Sequence, residues 1–161
     1  MESSERVTAR FRAAVEASDA DGVIATLAPD VVLHSPITER VKFRGPAEVR
    51  ELLLSVFEAI SDIRYSADVG DDRTRALFYR AHVNGTPVEE ATRIELDEQG
   101  RIREITLFFR PLPGLATVTA ELGPRVTARR HGRLRSILAR LLLAPLGFVT
   151  RAGDRVVTWF A

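Results

Sequence analysis

Polar and apolar positions alternate most regularly between Arg73 and Pro111. Three strand-like runs lie there: Leu77 to Val83, Val88 to Leu96, and Ile102 to Phe109. Asn84-Gly85 separates the first two and Asp97 to Gly100 the last two. Period-two patterning around Asn-Gly predicts antiparallel hairpins. One face collects Leu77, Tyr79, Ala81 and Val83, then Val88, Ile94 and Leu96, then Ile105, Leu107 and Phe109. Two polar residues, Glu90 and Thr92, share that apolar face. The other parity carries Phe78, Arg80 and His82.

Upstream the period changes. Val7, Phe11, Ala14 and Val15 form one stripe of a helix over Arg6 to Ser18. Asp19 and Asp21 are N-cap candidates for a short second helix, which Pro29-Asp30 is expected to end. Val31 to Ser35 reads as a strand stopped by Pro36, followed by a loop to Arg44. Gly45-Pro46 opens a third helix, with Val49, Leu52, Leu53, Val56, Phe57 and Ile60 on its apolar face. Ile63, Tyr65, Ala67 and Val69 then alternate in a strand. After Pro111 the pattern predicts a break at Pro113-Gly114 and a short helix from Leu115 to Leu122, stopped by Gly123-Pro124. A leucine-striped helix over Arg133 to Ala144 and an apolar strand over Val156 to Phe160 follow.

Composition changes this picture in two places. The chain has no cysteine, which excludes disulfide frameworks, thiolate metal sites and cysteine nucleophiles. His34, His82 and His131 show no metal-ligand spacing, and no phosphate-binding loop occurs. Residues 112–161 carry eight arginines against Glu121 and Asp154, a net of +6 in a chain whose total is +1. That segment has three readings: a leucine stripe packed on the domain or a partner, a lid over a pocket mouth, or a helix on a membrane surface. The first is preferred. Nucleic acid is not expected, because the arginines lack interleaved aromatics or a reading motif. No secretory signal or run of roughly 18 apolar residues appears, so a cytoplasmic protein is expected.

Phe11 to Val15 with Asp19 to Val23, Leu27 to Pro36, Phe43 to Arg50, and Gly100 to Ile105 form a series of segments in a fixed order and spacing. Together they resemble the nuclear transport factor 2-like superfamily, in its SnoaL-like and ketosteroid isomerase-like branch. The resemblance implies an α+β fold: a cone-shaped curved antiparallel sheet wrapping three N-terminal helices, here with a C-terminal helical extension. It assigns residues 1–111 to the SnoaL-like domain and 112–161 to the basic extension. It also implies an apolar pocket at the open end and a homodimer through the convex face, where His82 lies.

The family's chemistries transfer poorly. By the resemblance, Phe11 stands where a ketosteroid isomerase has its oxyanion-hole tyrosine, Ser35 where it has its base, and Thr92 where it has a protonated acid. The last strand offers Ile105, Leu107 and Phe109 inward and no acid, against the cyclase and epoxide hydrolase patterns. Glu90 remains: a carboxylate in an apolar cavity has a raised pKa and can act as a general base. The bland alternative is a solvated or ion-paired strand-end glutamate, which is the commoner case. His34, at the pocket mouth by the resemblance, is the second candidate catalyst, against an exposed structural role. Tyr65 and Tyr79 are candidate donors to a ligand carbonyl, against core tyrosines. Ser35, Thr92, Phe11 and Phe109 complete the expected ligand-binding set.

The expected function is a pocket protein for an apolar, carbonyl-bearing small molecule of polyketide or steroid kind, without cofactor or metal. It acts as an acid/base isomerase or cyclase. The alternative is a non-catalytic ligand-binding or dimerisation module that lacks the family acids.

Overall fold

The computed structural model describes residues 3–131 together with Ile137 and Thr150. The helix expected over Arg133 to Ala144 and the strand expected over Val156 to Phe160 lie outside the described residues, Ile137 excepted. The elements run α1 (Ser4–Glu16), α2 (Ala20–Ile24), β1 (Leu27–His34), β2 (Lys42–Arg44), α3 (Gly45–Ala59), β3 (Ile60–Gly70), β4 (Thr74–Val83), β5 (Thr86–Leu96), β6 (Ile102–Arg110) and α4 (Leu112–His131). The six strands form one sheet in the order β2-β1-β6-β5-β4-β3. All neighbours are antiparallel except β1 and β6, which pair in parallel.

The hairpins follow from their turns. Asn84 and Gly85 both take positive φ, 48° and 73°, the backbone that suits the right-handed twist of a two-residue hairpin. Val83 therefore pairs with Thr86, and the register runs back to Tyr79 opposite Glu90 and Leu77 opposite Thr92. At the next turn the Asp97 carboxylate accepts from the backbone N–H groups of Gln99 and Arg101, at 2.9 and 2.8 Å. The inward face of these strands is the core: Leu77, Ile94, Ile102 and Ile105 are fully buried. Each such side chain contributes about 2 kcal/mol of burial free energy.

The helices line the other side of that core. Asp19 caps α2 by accepting from Gly22 N–H at 2.9 Å. α1 contacts β3, α3 contacts β1, and α2 joins α1 to α3. β3 is bent by register shifts between Ser61 and Arg64 and between Tyr65 and Ala67, the devices that curve a sheet. The second shift reverses the expected alternation. Val69, expected inward, is exposed, and Asp68 turns toward the core instead.

Three further expectations are corrected. Pro29-Asp30 does not end α2; it lies within β1, in a stretch of irregular register between Leu27 and Val32 where a missing N–H breaks no ladder bond. The segment expected as loop up to Arg44 contains β2, paired with Val32 to His34. α4 is one helix through both Pro113-Gly114 and Gly123-Pro124. Pro113 falls in the first turn, where its missing N–H costs nothing. Gly114 lies so close to β5 that a Cβ would meet Val88 Cγ1 at 2.8 Å. Pro124 removes one helical bond, and packing of Val118, Leu122 and Val126 against the core offsets it.

Candidate functional site

Four of the expected site residues form one rung of the sheet. Tyr65 on β3 pairs with Tyr79 on β4, Tyr79 with Glu90 on β5, and Glu90 with Phe109 on β6. The tyrosine rings meet edge to face, with centroids 5.3 Å apart and planes at 70°. The Tyr79 hydroxyl donates to Glu90 Oε2 at 2.5 Å. The Thr92 hydroxyl, one inward position along β5, donates to Glu90 Oε1. Both carboxyl oxygens are thus held by hydroxyls of the same sheet.

Glu90 is 5% exposed. Burial disfavours its ionised form and lifts its pKa from the ordinary 4.5 to about 7, while the hydrogen bonds from Thr92 and Tyr79 pull the other way. A carboxyl balanced near neutrality both takes and returns a proton. Tyr79 and Tyr65 move well above the usual phenol value, first through burial and then through the Glu90 charge. Both hydroxyls remain protonated donors at any physiological pH. The solvated strand-end alternative for Glu90 is thereby excluded.

A cavity of about 310 Å³ opens beside this rung. Leu33 near the end of β1, Ser35 just beyond it, Phe43, Leu52 of α3, Phe109 and, from α4, Val118, Thr119, Leu122, Gly123, Val126 and Thr127 bound it. Phe109 belongs to both places, as a wall of the cavity and as the cross-strand neighbour of Glu90. Ser35 lines the cavity, but its Oγ already accepts from Ile37 N–H at 3.2 Å. Phe11 is buried on α1 within the core cluster.

His34 does not join Glu90. Its neighbour Leu33 turns inward beside Ile105, so His34 falls beside Thr106 on the outer face. There its Nε2 lies 3.4 Å from Glu104 Oε1, with the imidazole 26% exposed. Val31, Val32 and Leu33 are all apolar, so residues 31–35 alone did not say which parity faces inward; in the structure Val31 and Leu33 are buried and His34 is out. The two candidate catalysts occupy opposite faces of the sheet.

Residues 8–105 match the model of the SnoaL-like domain. The chain belongs to the SnoaL-like domain family. Its architecture is similar to a steroid delta-isomerase from Pseudomonas aeruginosa, at 25% identity and a TM-score of 0.71, over 79% of this chain and 93% of that one. It is also similar to a cystatin-like-fold protein from Silicibacter pomeroyi DSS-3, at 25% identity and a TM-score of 0.69, over 83% and 92%. The epoxide hydrolase/cyclase-like enzyme SalBIII, of pyran ring formation in the polyether salinomycin, shares the fold at 19% identity and a TM-score of 0.57, over 66% and 90%. No curated protein matches the chain.

Within this SnoaL-like domain one buried polar cluster escaped the sequence reading. Arg75, on the inward face of β4, donates from Nε to Asp68 Oδ1 at 2.6 Å. Asp68 Oδ2 accepts from the Thr8 hydroxyl at 2.6 Å and faces Arg12 Nε at 3.4 Å. The cluster ties α1 to β3 and β4. Parity signalled Arg75, which continues the inward series Leu77, Tyr79, Ala81; Asp68 was hidden by the register shift in β3. Among the described residues no group of three metal-ligating side chains occurs, and no helix is long and apolar enough to cross a membrane.

Proposed function

We propose that this SnoaL-like protein is a cofactor-independent acid/base catalyst that isomerises or cyclises an apolar carbonyl compound of polyketide or steroid kind. The observation that carries the reading is Glu90: a buried carboxyl near pKa 7, gripped by Tyr79 and Thr92 on the apolar face of the cone. The substrate enters by the cavity bounded by Ser35 and Phe109 and reaches Glu90 past Phe109, its cross-strand neighbour, which stands between the two. Ionised Glu90 takes the proton α to the carbonyl; the C–H bond breaks, an O–H bond forms on the carboxyl, and the electron pair passes to the carbonyl oxygen. Tyr65 stays protonated and is the donor to that oxyanion. Glu90 then returns the proton to another carbon, or the enolate carbon attacks a second carbonyl of the same molecule, whose C=O π pair passes to its oxygen, which takes the proton back from Glu90. A homodimer through the outer face belongs to the same reading, supported by Phe78 and Phe108, the latter 54% exposed.

A second reading, ligand binding without turnover, is favoured by the cavity wall, where the described residues include no carboxylate and no imidazole. Proton exchange separates the two. A panel of apolar ketones is incubated with the protein in D2O, and loss of the α-proton NMR signal is followed. The acid/base reading expects exchange by the wild type and a hundredfold or greater loss in Glu90→Gln, on the order of a removed general base. Equal exchange by both proteins, or none by either, leaves the binding reading.

A further inference from the structure

The cavity wall contributed by α4 is interrupted in its middle. Val118 and Leu122 line the cavity before Gly123-Pro124, and Val126 and Thr127 line it after. Proline inside a helix removes a bond to the fourth residue back and crowds its carbonyl, which makes it a usual site of bending. Glycine beside it adds backbone freedom. Next to it the Arg125 guanidinium donates to the Glu121 carbonyl oxygen at 2.8 Å and to its carboxylate at 2.7 Å, a local tie that leaves the Ala120 carbonyl without its helical N–H donor.

Beyond the hinge the polar contacts to α3 come mainly from one residue. Arg129 Nη2 donates to Glu58 Oε1 at 2.6 Å, Nε donates to Ser55 Oγ at 3.1 Å, and Nη1 lies 3.6 Å from Glu51 Oε2. Glu51, Ser55 and Glu58 share one face of α3 at helical spacing. Arg125 adds a longer contact to Glu58 at 3.9 Å. Beyond the hinge the apolar contact with the core thins, among the described residues, to Val126; the rest of the fastening is ionic and half-exposed, weak enough to open and sensitive to salt.

We propose that α4 is a hinged wall of the cavity, bending at Gly123-Pro124 and latched to α3 by Arg129, and that it admits an uncharged apolar ligand. The lining sets that ligand class. Its described polar groups are hydroxyls, of which Ser35 is engaged with Ile37 N–H and Thr119 with the Leu115 carbonyl. An ionised ligand would lose its water without a partner charge. The inference rests on the cavity being the ligand site and is independent of proton transfer by Glu90.

The test uses the full chain and phenylnaphthylamine, a neutral fluorescent probe, in stopped-flow binding and release. Arg129→Gln is expected to raise both rates roughly three- to tenfold and leave Kd nearly unchanged, the size of one partly exposed ion-pair cluster. Added salt speeds the wild type and not the variant. Arg129→Glu is fast, and combining it with Glu58→Arg restores slow exchange. A residue that merely stabilised the fold would lower Tm without moving the two rates together. Rates in Arg129→Gln equal to the wild type overturn the latch, as does a charge-swapped pair as fast as Arg129→Glu. Absence of probe binding overturns the inference entirely. A protein that gates the probe but exchanges no ketone protons fails the acid/base reading alone.

Discussion

Replacing Glu90 by glutamine removes a titration from the core and keeps an oxygen that accepts from Tyr79. In the unfolded chain this carboxyl ionises at its ordinary 4.5; in the folded chain it ionises at about 7. Below the lower value both states hold the proton, and the site imposes no pH-dependent penalty. Between the two values the folded state keeps a proton that the unfolded state has released. Unfolding free energy therefore falls as pH rises through that window. Above about 7 both states are ionised and the penalty is complete. Each pH unit of the window costs about 1.4 kcal/mol, so the full handicap is roughly 3 kcal/mol. Urea denaturation of the wild type and Glu90→Gln at about pH 5 and about pH 8 measures it, since other groups cancel in the difference. Glu90→Gln is expected to gain roughly 2–3 kcal/mol on the wild type between the two conditions. A difference that stays within about 0.5 kcal/mol across the range refutes the buried, titrating Glu90.

Four further outcomes are expected. Tyr79→Phe removes a hydrogen bond that favours the Glu90 carboxylate, so the pH profile of ketone proton exchange moves up by about one unit; an unmoved profile contradicts the pairing. Arg75→Met leaves Asp68 buried with Thr8 and the poorly aligned Arg12, and chemical denaturation should report a loss of about 3 kcal/mol, where a neutral result would mean the pair holds nothing. Gly114→Ala drives a methyl against Val88 and the Pro87 carbonyl; a cost of about 1–3 kcal/mol is expected, and a stabilised variant would show that α4 can shift away. Phe108→Asp should convert a dimer to a monomer in light scattering at unchanged circular dichroism, and an unchanged mass would remove the outer face from the proposed assembly.

The hairpins were legible because their signals are local. Alternation in β4, β5 and β6 and the Asn84-Gly85 turn together fix the register. With Val83 opposite Thr86, counting back four and forward four sets Tyr79 opposite Glu90. The Tyr79–Glu90 pair was thus available from the turn, although parity alone gave just the shared face. What failed depended on irregular register or on distant packing. Asp68 follows a shift that alternation cannot see, and His34 borders the all-apolar run Val31 to Leu33, whose inward parity becomes plain only in the sheet. β2 is three residues long and exists through its pairing with β1. α4 passes through two proline signals because its apolar side covers the core, a tertiary gain that outweighs local preference. Glu90 itself stood out because an acid on an apolar strand face is a conflict between local and global pattern, and such conflicts concentrate at functional sites.

The parallel pairing of β1 with β6 also bears on how the chain assembles. β3 to β6 are successive hairpins that close over short loops and form early. β1 waits, because Leu33 meets Ile105 across most of the intervening sequence. On the ribosome the N-terminal third emerges first, yet one flank of β1 has no strand to join until β6 is made. Its free N–H and C=O groups form an exposed, sticky margin in that interval. The non-local seam is therefore expected to be the slow step, with the late hairpins serving as the template on which the earlier segment docks. A chain cut within residues 102–110 would lose more than its last strand: it would keep that margin open permanently and be prone to aggregate.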